Sequence, residues 1–188
     1  MNRRESIIRL ATLMGSTVLG PRLLQGAWNA EEPGGAVSAS SGEVALLDEI
    51  GETIIPATDV PGAKAVGIGA FITMMVRECY EVDQQTAFQA GLGELAQRFR
   101  LRHGRAFVGA PADPRTAFLN ELDREQRTYT KGKRKDQPDH WFRGVKDLTI
   151  IGYFSSEIGC TQAIRFIEVP GAFDGNVPYK KGDHVWFS

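Results

Sequence analysis

The chain has 188 residues, a formal net charge of −1 at pH 7 and an apolar fraction of 42%. This length suffices for one domain with a hydrophobic core, and the near-neutral charge excludes the basic composition typical of nucleic-acid binding. The two cysteines, Cys79 and Cys160, form no CxxC or CxxCH pattern, which excludes ligands for an iron–sulfur cluster or a c-type haem. After export they could form a disulfide, and two buried free thiols are the alternative.

Residues 1–30 have the form of an export signal. Arg3 and Arg4 precede a weakly apolar stretch from Ile7 to Leu19, and four arginines against one glutamate give the segment a charge of +3 (4 − 1). A twin arginine before such a stretch resembles a twin-arginine (Tat) export signal, which serves proteins that cross a membrane already folded. A basic amphipathic helix on a soluble protein is the alternative. The stretch is too short and too polar for a transmembrane helix.

Residues 31–42 are rich in Gly, Ser and Ala and predict a flexible linker before a folded domain at 43–188. Ser40 and Glu43 have the spacing of a capping box. The helix that follows should end at Pro56, with these apolar residues on one face: Leu46, Leu47, Ile50 and Ile54. Two prolines and a glycine then predict a loop over residues 56–62.

Three more helices follow from apolar residues at helical spacing. The first runs from about Lys64 to Tyr80 and should pack inward along its full length. Asp83 is expected to cap the second, and Asp113 with Pro114 to open the third. The inward residues predicted for the three helices are, in order, Ile68, Phe71, Ile72, Met75, Val76 and Cys79; Phe88, Leu92, Leu95 and Phe99; Phe118, Leu119 and Leu122.

The segment 139–170 is the longest apolar run of the predicted domain and should form its core element. Asp139 is expected to cap a helix that ends near Gly152, with Trp141, Phe142, Val145, Leu148 and Ile151 buried. Thr130 to Pro138 reads as a basic loop before it. The last 20 residues contain repeated Pro and Gly and predict an extended arm that ends in Val185–Trp186–Phe187. The fold prediction is therefore an all-α single domain of about five or six helices with an irregular, extended C-terminal arm.

A search for reactive groups finds little. His103, His140 and His184 are far apart in the chain and lack companion ligands, so the pattern does not indicate a metal site. No glycine pattern here has the form of a phosphate-binding loop. Glu157 lies in an apolar segment near Tyr153 and could act as a general acid or base, although such a residue more often caps a helix or pairs with an arginine such as Arg165. The residues thus favour a non-catalytic protein.

Three segments carry a resemblance to a known family: the twin-arginine start, LLDEIGETIIPATDVPGAKAVGIGAFI at 46–72 and LTIIGYFSSEIGCTQAIRFIEVPGAFDGNVPY at 148–179. They resemble subunit 3, the small subunit, of gluconate 2-dehydrogenase and of similar membrane-bound sugar and polyol dehydrogenases. The resemblance covers most of residues 44–187.

The resemblance implies a periplasmic complex associated with the inner membrane. A large subunit carries FAD, a multihaem cytochrome c subunit carries haem c, and the small subunit binds the large one and supports its maturation and its export by the Tat translocase. No cofactor is expected in this chain, which would be a subunit of an enzyme and not itself catalytic. Candidates for the partner-binding surface are Tyr153, Phe154, Glu157 and Trp186.

The alternative hypothesis is a free-standing periplasmic enzyme. It would use Glu157 and Tyr153 as acid–base residues, with His140 as a further member, because an acidic residue in an apolar setting can have a perturbed pKa.

Overall fold

The computed structural model describes residues 40–188 except 136, 167, 168, 170, 173, 174, 179, 185 and 188, with the side chains of residues 186 and 187 also excluded. Arg3, Arg4 and the linker up to residue 39 lie outside the described residues. The described part is all-α, as predicted. Its α-helices are α1 (Ser41–Ile54), α2 (Ile68–Cys79), α3 (Val82–His103), α4 (Ala112–Gly132) and α5 (Trp141–Phe154), with a 3₁₀ turn at Ala63–Val66 and a π-helical turn at Gly159–Ala163.

Helix α5 is the central element, because it packs against each of the other four helices. Phe142, Val145 and Leu148 form its buried face. Thr149 is also fully buried, and its hydroxyl donates a hydrogen bond to the carbonyl of Val145, 2.7 Å away. A buried hydroxyl satisfied within its own helix leaves the neighbouring helices free to pack through apolar atoms.

The apolar faces predicted for α1, α3 and α4 are confirmed. Their buried residues include Leu46, Leu47, Ile50, Phe88, Leu92, Leu95, Phe99, Phe118, Leu119 and Leu122. The predicted burial was wrong near two helix ends. Cys79, the last residue of α2, is exposed, and Ile151, near the end of α5, is 55% exposed. Periodicity identifies a face but not how far a neighbouring helix extends over it.

Several helix starts differ from the predictions, by one to four residues. The helix expected from Lys64 is a 3₁₀ turn, then Gly67 in the left-handed conformation (φ 67°), then α2. A side chain other than glycine would be strained there, and the change of helix type marks the break. Glu81, not Asp83, is the N-cap of α3 and forms a capping box with Gln84. The cap therefore lies two residues earlier than predicted.

The caps expected at Asp113 and Asp139 are also wrong. Helix α4 begins at Ala112 after Pro111, so Asp113 lies in its first turn, where a carboxylate still interacts well with the helix dipole. The N-cap of α5 is His140, whose Nδ1 accepts the backbone N–H of Phe142 at 3.2 Å. Asp139 instead forms ion pairs with Lys133 and Arg143. The predicted basic loop is shorter than expected, since α4 continues to Gly132.

After α5 the chain is less buried than predicted. Phe154 and Phe166 are exposed, so the segment 139–170 is a core element only as far as α5. In the arm, β1 (Arg165–Phe166) pairs in parallel with β2 (Trp186–Phe187), with Arg165 opposite Trp186. Helix α1 begins at Ser41, inside the predicted linker, and the predicted capping box between Ser40 and Glu43 is confirmed.

Candidate functional site

The loop 56–62, between α1 and the 3₁₀ turn, is held at both ends by one carboxylate. Glu52, in the last turn of α1, accepts the backbone N–H of Ala57 at 3.0 Å through one oxygen and that of Lys64 at 2.9 Å through the other. Hydrogen bonds to a charged acceptor are stronger than those between neutral groups. The loop therefore has a defined shape before any partner is bound.

Gly62 is required by this arrangement. A Cβ at Gly62 would lie 2.5 Å from both carboxylate oxygens of Glu52 and 2.6 Å from the backbone nitrogen of Ala57. The chain beyond Gly62 is tied back to α1, because the N–H of Ala63 donates to the carbonyl of Ile55 at 3.0 Å. The loop thus closes on itself around Glu52.

Tyr153 of α5 provides the third attachment. Its hydroxyl donates a hydrogen bond to the carbonyl of Pro61 at 2.8 Å, and its side chain is only 3% exposed. Burial, and secondly the negative charge of Glu52, raise the pKa of Tyr153. This hydrogen bond therefore joins two segments that are distant in the chain, residues 54–63 (IIPATDVPGA) and residues 152–159 (GYFSSEIG). Tyr153 is buried beneath the loop. It could therefore affect a partner only by fixing the position of the loop, and not through direct contact.

The tip of the loop is exposed from residue 56 to residue 59. Within it the Thr58 hydroxyl donates to the Asp59 carboxylate at 2.9 Å, and the Thr58 N–H donates to the carbonyl of Val60 at 3.0 Å. The hydroxyl bond, with a smaller effect from His184, holds the pKa of Asp59 below its usual value. The tip thus presents a fixed anionic group to solvent.

An apolar stripe lies next to this anchor at the end of α5. Ile150, Ile151 and Phe154 are 44%, 55% and 37% exposed, and we call them the α5 stripe. The spacing of three and four residues places them on one face of the helix. The ring of Phe154 packs edge-to-face on the buried ring of Tyr153, with centroids 5.2 Å apart. The exposed stripe and the loop therefore share one structural support.

The other candidate residues do not form a catalytic group. Glu157 is exposed, so its setting is not the apolar one that the sequence indicated. The hydroxyl of Tyr153 is bonded to Pro61, and His140 caps α5. These positions give no acid–base pair, and the hypothesis of a free-standing enzyme loses its structural motivation. Trp186 lies in β2, and its side chain is not among those that the structure describes.

The cysteines are free thiols in the structure, but neither is fully buried, as the alternative to a disulfide expected. Cys79 is exposed, and the thiol of partly buried Cys160 donates to the carbonyl of Phe154 at 3.0 Å. In the described part of the chain, no group of three or more His, Cys, Asp or Glu residues is arranged to hold a metal ion. Within the same residues, no helix combines the length and the apolarity that a membrane span needs.

Sequence reasoning missed Glu52, although a signal for it exists. A carboxylate in the last turn of a helix is disfavoured by the helix dipole, and α1 has no basic residue in that turn. An acidic residue in this position followed by a Pro- and Gly-containing loop indicates a carboxylate that accepts the loop's amides.

The fold and the site define an all-α domain with an exposed apolar stripe and a surface loop that hydrogen bonds hold in one shape. Residues 41–171, more than half of the chain, match the model of the family described as gluconate 2-dehydrogenase subunit 3. The chain belongs to this family. Comparison with curated proteins gives no match, and comparison with solved structures gives none either.

Proposed function

We propose that the chain is the non-catalytic small subunit of a membrane-associated, FAD-dependent dehydrogenase of gluconate or of another sugar or polyol. In this role it binds the flavoprotein subunit and assists its Tat export and maturation. The observation that carries the proposal is the family match over residues 41–171, which includes both the loop 56–62 and the α5 stripe. The Arg3–Arg4 pair adds the export component.

The chemistry of the complex is assigned to other chains in this proposal. FAD belongs to the large subunit, haem c to a multihaem cytochrome subunit, and the assembly lies in the periplasm on the inner membrane. The small subunit contributes a surface. Apolar side chains that stay exposed together in a folded protein commonly mark a protein–protein contact. The α5 stripe has this property, and the fixed loop next to it supplies polar groups for the rim of such a contact.

Co-purification tests the proposal. The tagged chain is purified from native membranes, and the yield of bound flavin and of a co-purifying large flavoprotein subunit is measured. Ile150→Glu with Phe154→Glu should reduce the recovered flavoprotein strongly, because two charges would replace apolar contacts at the interface. Both positions are already solvent-exposed, so the domain should remain folded.

Leu101→Glu is the matched control. Leu101 is 79% exposed on α3 between Arg100 and Arg102, away from the α5 stripe. This variant should recover as much flavoprotein as the unaltered chain. If the unaltered chain recovers no flavoprotein, the proposed function is wrong. If both variants lose it equally, the α5 stripe is not the contact.

A further inference from the structure

Besides the loop 56–62 and the α5 stripe, the described part of the molecule has a concave surface between the start of α3 and the start of α5. It is a cleft of about 690 Å³ that the α5 stripe joins through Ile151. Its apolar lining includes Tyr80, Phe88, Trp141 and Leu148. The rings of Tyr80 and Phe88 pack edge-to-face with centroids 6.4 Å apart, so the two aromatic side chains of this wall support each other. An apolar cleft of this size can take one or two side chains of a partner.

The cleft stays open because residue 144 is a glycine. A Cβ at Gly144 would lie 2.8 Å from the hydroxyl oxygen of Tyr80, so any side chain there would push the Tyr80 ring aside. The indole of Trp141 packs similarly against Gly91 of α3, where a Cβ would overlap the ring. Small residues on both helices therefore shape the lining.

The charges at the cleft are mainly negative. Three carboxylates line it, those of Asp83, Asp139 and Asp147, against the single guanidinium of Arg143. Arg143 is shared between Asp139 and Asp147, at 3.5 Å from each, and Lys133 reaches Asp139 from outside the cleft at 2.5 Å. Three negative charges thus face two positive ones, an excess of one even with Lys133 included. The carboxylate of Asp83 accepts the backbone N–H of Gln84, in its own helix, at 2.9 Å.

His140 also lines the cleft, and while its ring caps α5 it is neutral and adds no positive charge. Its Nδ1 accepts a hydrogen bond and is therefore unprotonated. Apolar walls with carboxylates at the edge suit a basic side chain, which lays its aliphatic stem on apolar surface and keeps its charged end at the rim. Electrostatic complementarity of this kind selects a partner and accelerates its docking.

We propose that this cleft receives a segment of the flavoprotein subunit in which an apolar side chain is flanked by arginine or lysine. The inference rests on the proposed function for the identity of the partner. It adds the location and the chemistry of a second contact, continuous with the α5 stripe through Ile151.

Charge reversal tests the contact. Asp83→Lys with Asp147→Lys should weaken the complex of the full chain with the flavoprotein roughly tenfold or more, and should reduce the dependence of its affinity on salt. Glu121→Lys is the matched control, because it also replaces a carboxylate with a positive charge, but on α4 outside the cleft, where Glu121 pairs with Arg102 of α3. Asp83→Asn with Asp147→Asn is a milder pair that should give a smaller loss in the same direction if the lysine variant unfolds.

The two native cysteines supply an independent footprint. Cys79 lines the cleft, whereas Cys160 lies in the π-helical turn after α5. Bound flavoprotein should slow modification of Cys79 by a thiol reagent at least severalfold more than modification of Cys160. Overlapping 15-residue peptides from the flavoprotein should protect Cys79 only where arginine or lysine flanks an apolar residue.

Each outcome decides between the two proposals. A complex that forms with unchanged affinity in the Asp83 and Asp147 variants, and leaves Cys79 unprotected, overturns the cleft proposal while the proposed function stands. Protection of Cys79 by self-association of the chain, without flavoprotein, also overturns it, because the occupant is then a second copy. Absence of any complex with the unaltered chain overturns both.

Discussion

At the scale of single residues, hydrogen bonds from side chains to backbone groups define the candidate site. Glu52 accepts two amides of the loop 56–62, and Tyr153 donates to the carbonyl of Pro61. Removing one partner of a buried hydrogen bond leaves the other unsatisfied, and this costs more than the bond contributes. Such residues are therefore sensitive points of the fold even though they lie at its surface or just beneath it.

Tyr153→Phe should lower the free energy of unfolding by about 1 kcal/mol, because the Pro61 carbonyl loses its partner while the ring stays packed. Urea denaturation measures this. Tyr129→Phe is the control, since the Tyr129 hydroxyl also donates to a proline carbonyl, that of Pro138 at 3.1 Å, but in an exposed position. It should cost less than about 0.5 kcal/mol. Equal losses would contradict the role given to Tyr153.

His140 gives the fold a pH dependence. Burial, opposed in part by Glu125 and Glu94, lowers the pKa of His140 in the folded chain. A lowered folded pKa means that the unfolded chain binds the proton more tightly, so the contribution is fully present above the unfolded pKa of about 6.5. It is lost as the pH falls below that value, because a protonated Nδ1 cannot accept the N–H of Phe142.

His140→Asn should retain the cap and remove this component of the pH dependence, whereas His140→Ala should cost about 1 kcal/mol at pH 8. Thermal unfolding between pH 5 and pH 8 makes the comparison, with the facing charges of Glu94, Arg98 and Glu125 unchanged in all variants. If the unfolding temperature of the asparagine variant still falls between pH 8 and pH 5 as it does in the unaltered chain, another group is responsible for the pH dependence.

At the scale of elements, the packing of α1 on α2 depends on a close approach. The Asp48 carboxylate accepts the N–H of Gly69 at 2.7 Å, which satisfies one free amide at the start of α2. A Cβ at Gly69 would overlap the carbonyl oxygen of Val44 in α1. The two helices can therefore approach each other this closely only because residue 69 has no side chain.

Gly69→Ala should lower the free energy of unfolding by about 2 kcal/mol, since backbone atoms cannot move aside as a flexible side chain can. Gly93→Ala is its counterpart within α3, where nothing lies within 4 Å of the added Cβ. Gly93→Ala should instead raise the free energy of unfolding by about 0.5–1 kcal/mol, because alanine favours the helix more than glycine does. Denaturant midpoints of the pair, measured side by side, test the helix contact, and a neutral Gly69 variant would refute it.

At the scale of the whole molecule, export and folding are expected to be separable. The described domain begins at Ser40, while Arg3 and Arg4 belong to the predicted signal. Arg3→Lys with Arg4→Lys keeps the charge but should abolish recognition by the Tat translocase. In the proposed role this strands both this chain and the flavoprotein in the cytoplasm, and whole-cell dehydrogenase activity toward an external acceptor falls.

Cell fractionation measures the distribution of both subunits, and the unfolding midpoint of the purified variant serves as the folding control. The midpoint should not change. Flavoprotein that still reaches the periplasm in this variant would exclude the carrier role and leave only a structural one.

The sequence predicts the helices of this molecule better than their ends. Regular spacing, as of Phe88, Leu92, Leu95 and Phe99, identifies a buried face because one helix repeats its contacts every turn. The cap at Asp139 was misplaced because its carboxylate pairs with two cations instead of an amide: Lys133, just after the end of α4, and Arg143, four residues further along the chain. The joining of Glu52, Pro61 and Tyr153 was also beyond sequence reasoning, since Pro61 and Tyr153 are 92 positions apart.

The three attachments of the loop 56–62 have a consequence for association. A flexible loop loses conformational entropy when a partner immobilises it, and part of the binding energy is spent on that ordering. Here Glu52, Gly62 and Tyr153 have already restricted the loop during folding. A partner that docks on its tip therefore meets a surface close to its bound shape, and the encounter proceeds as the joining of two nearly rigid bodies.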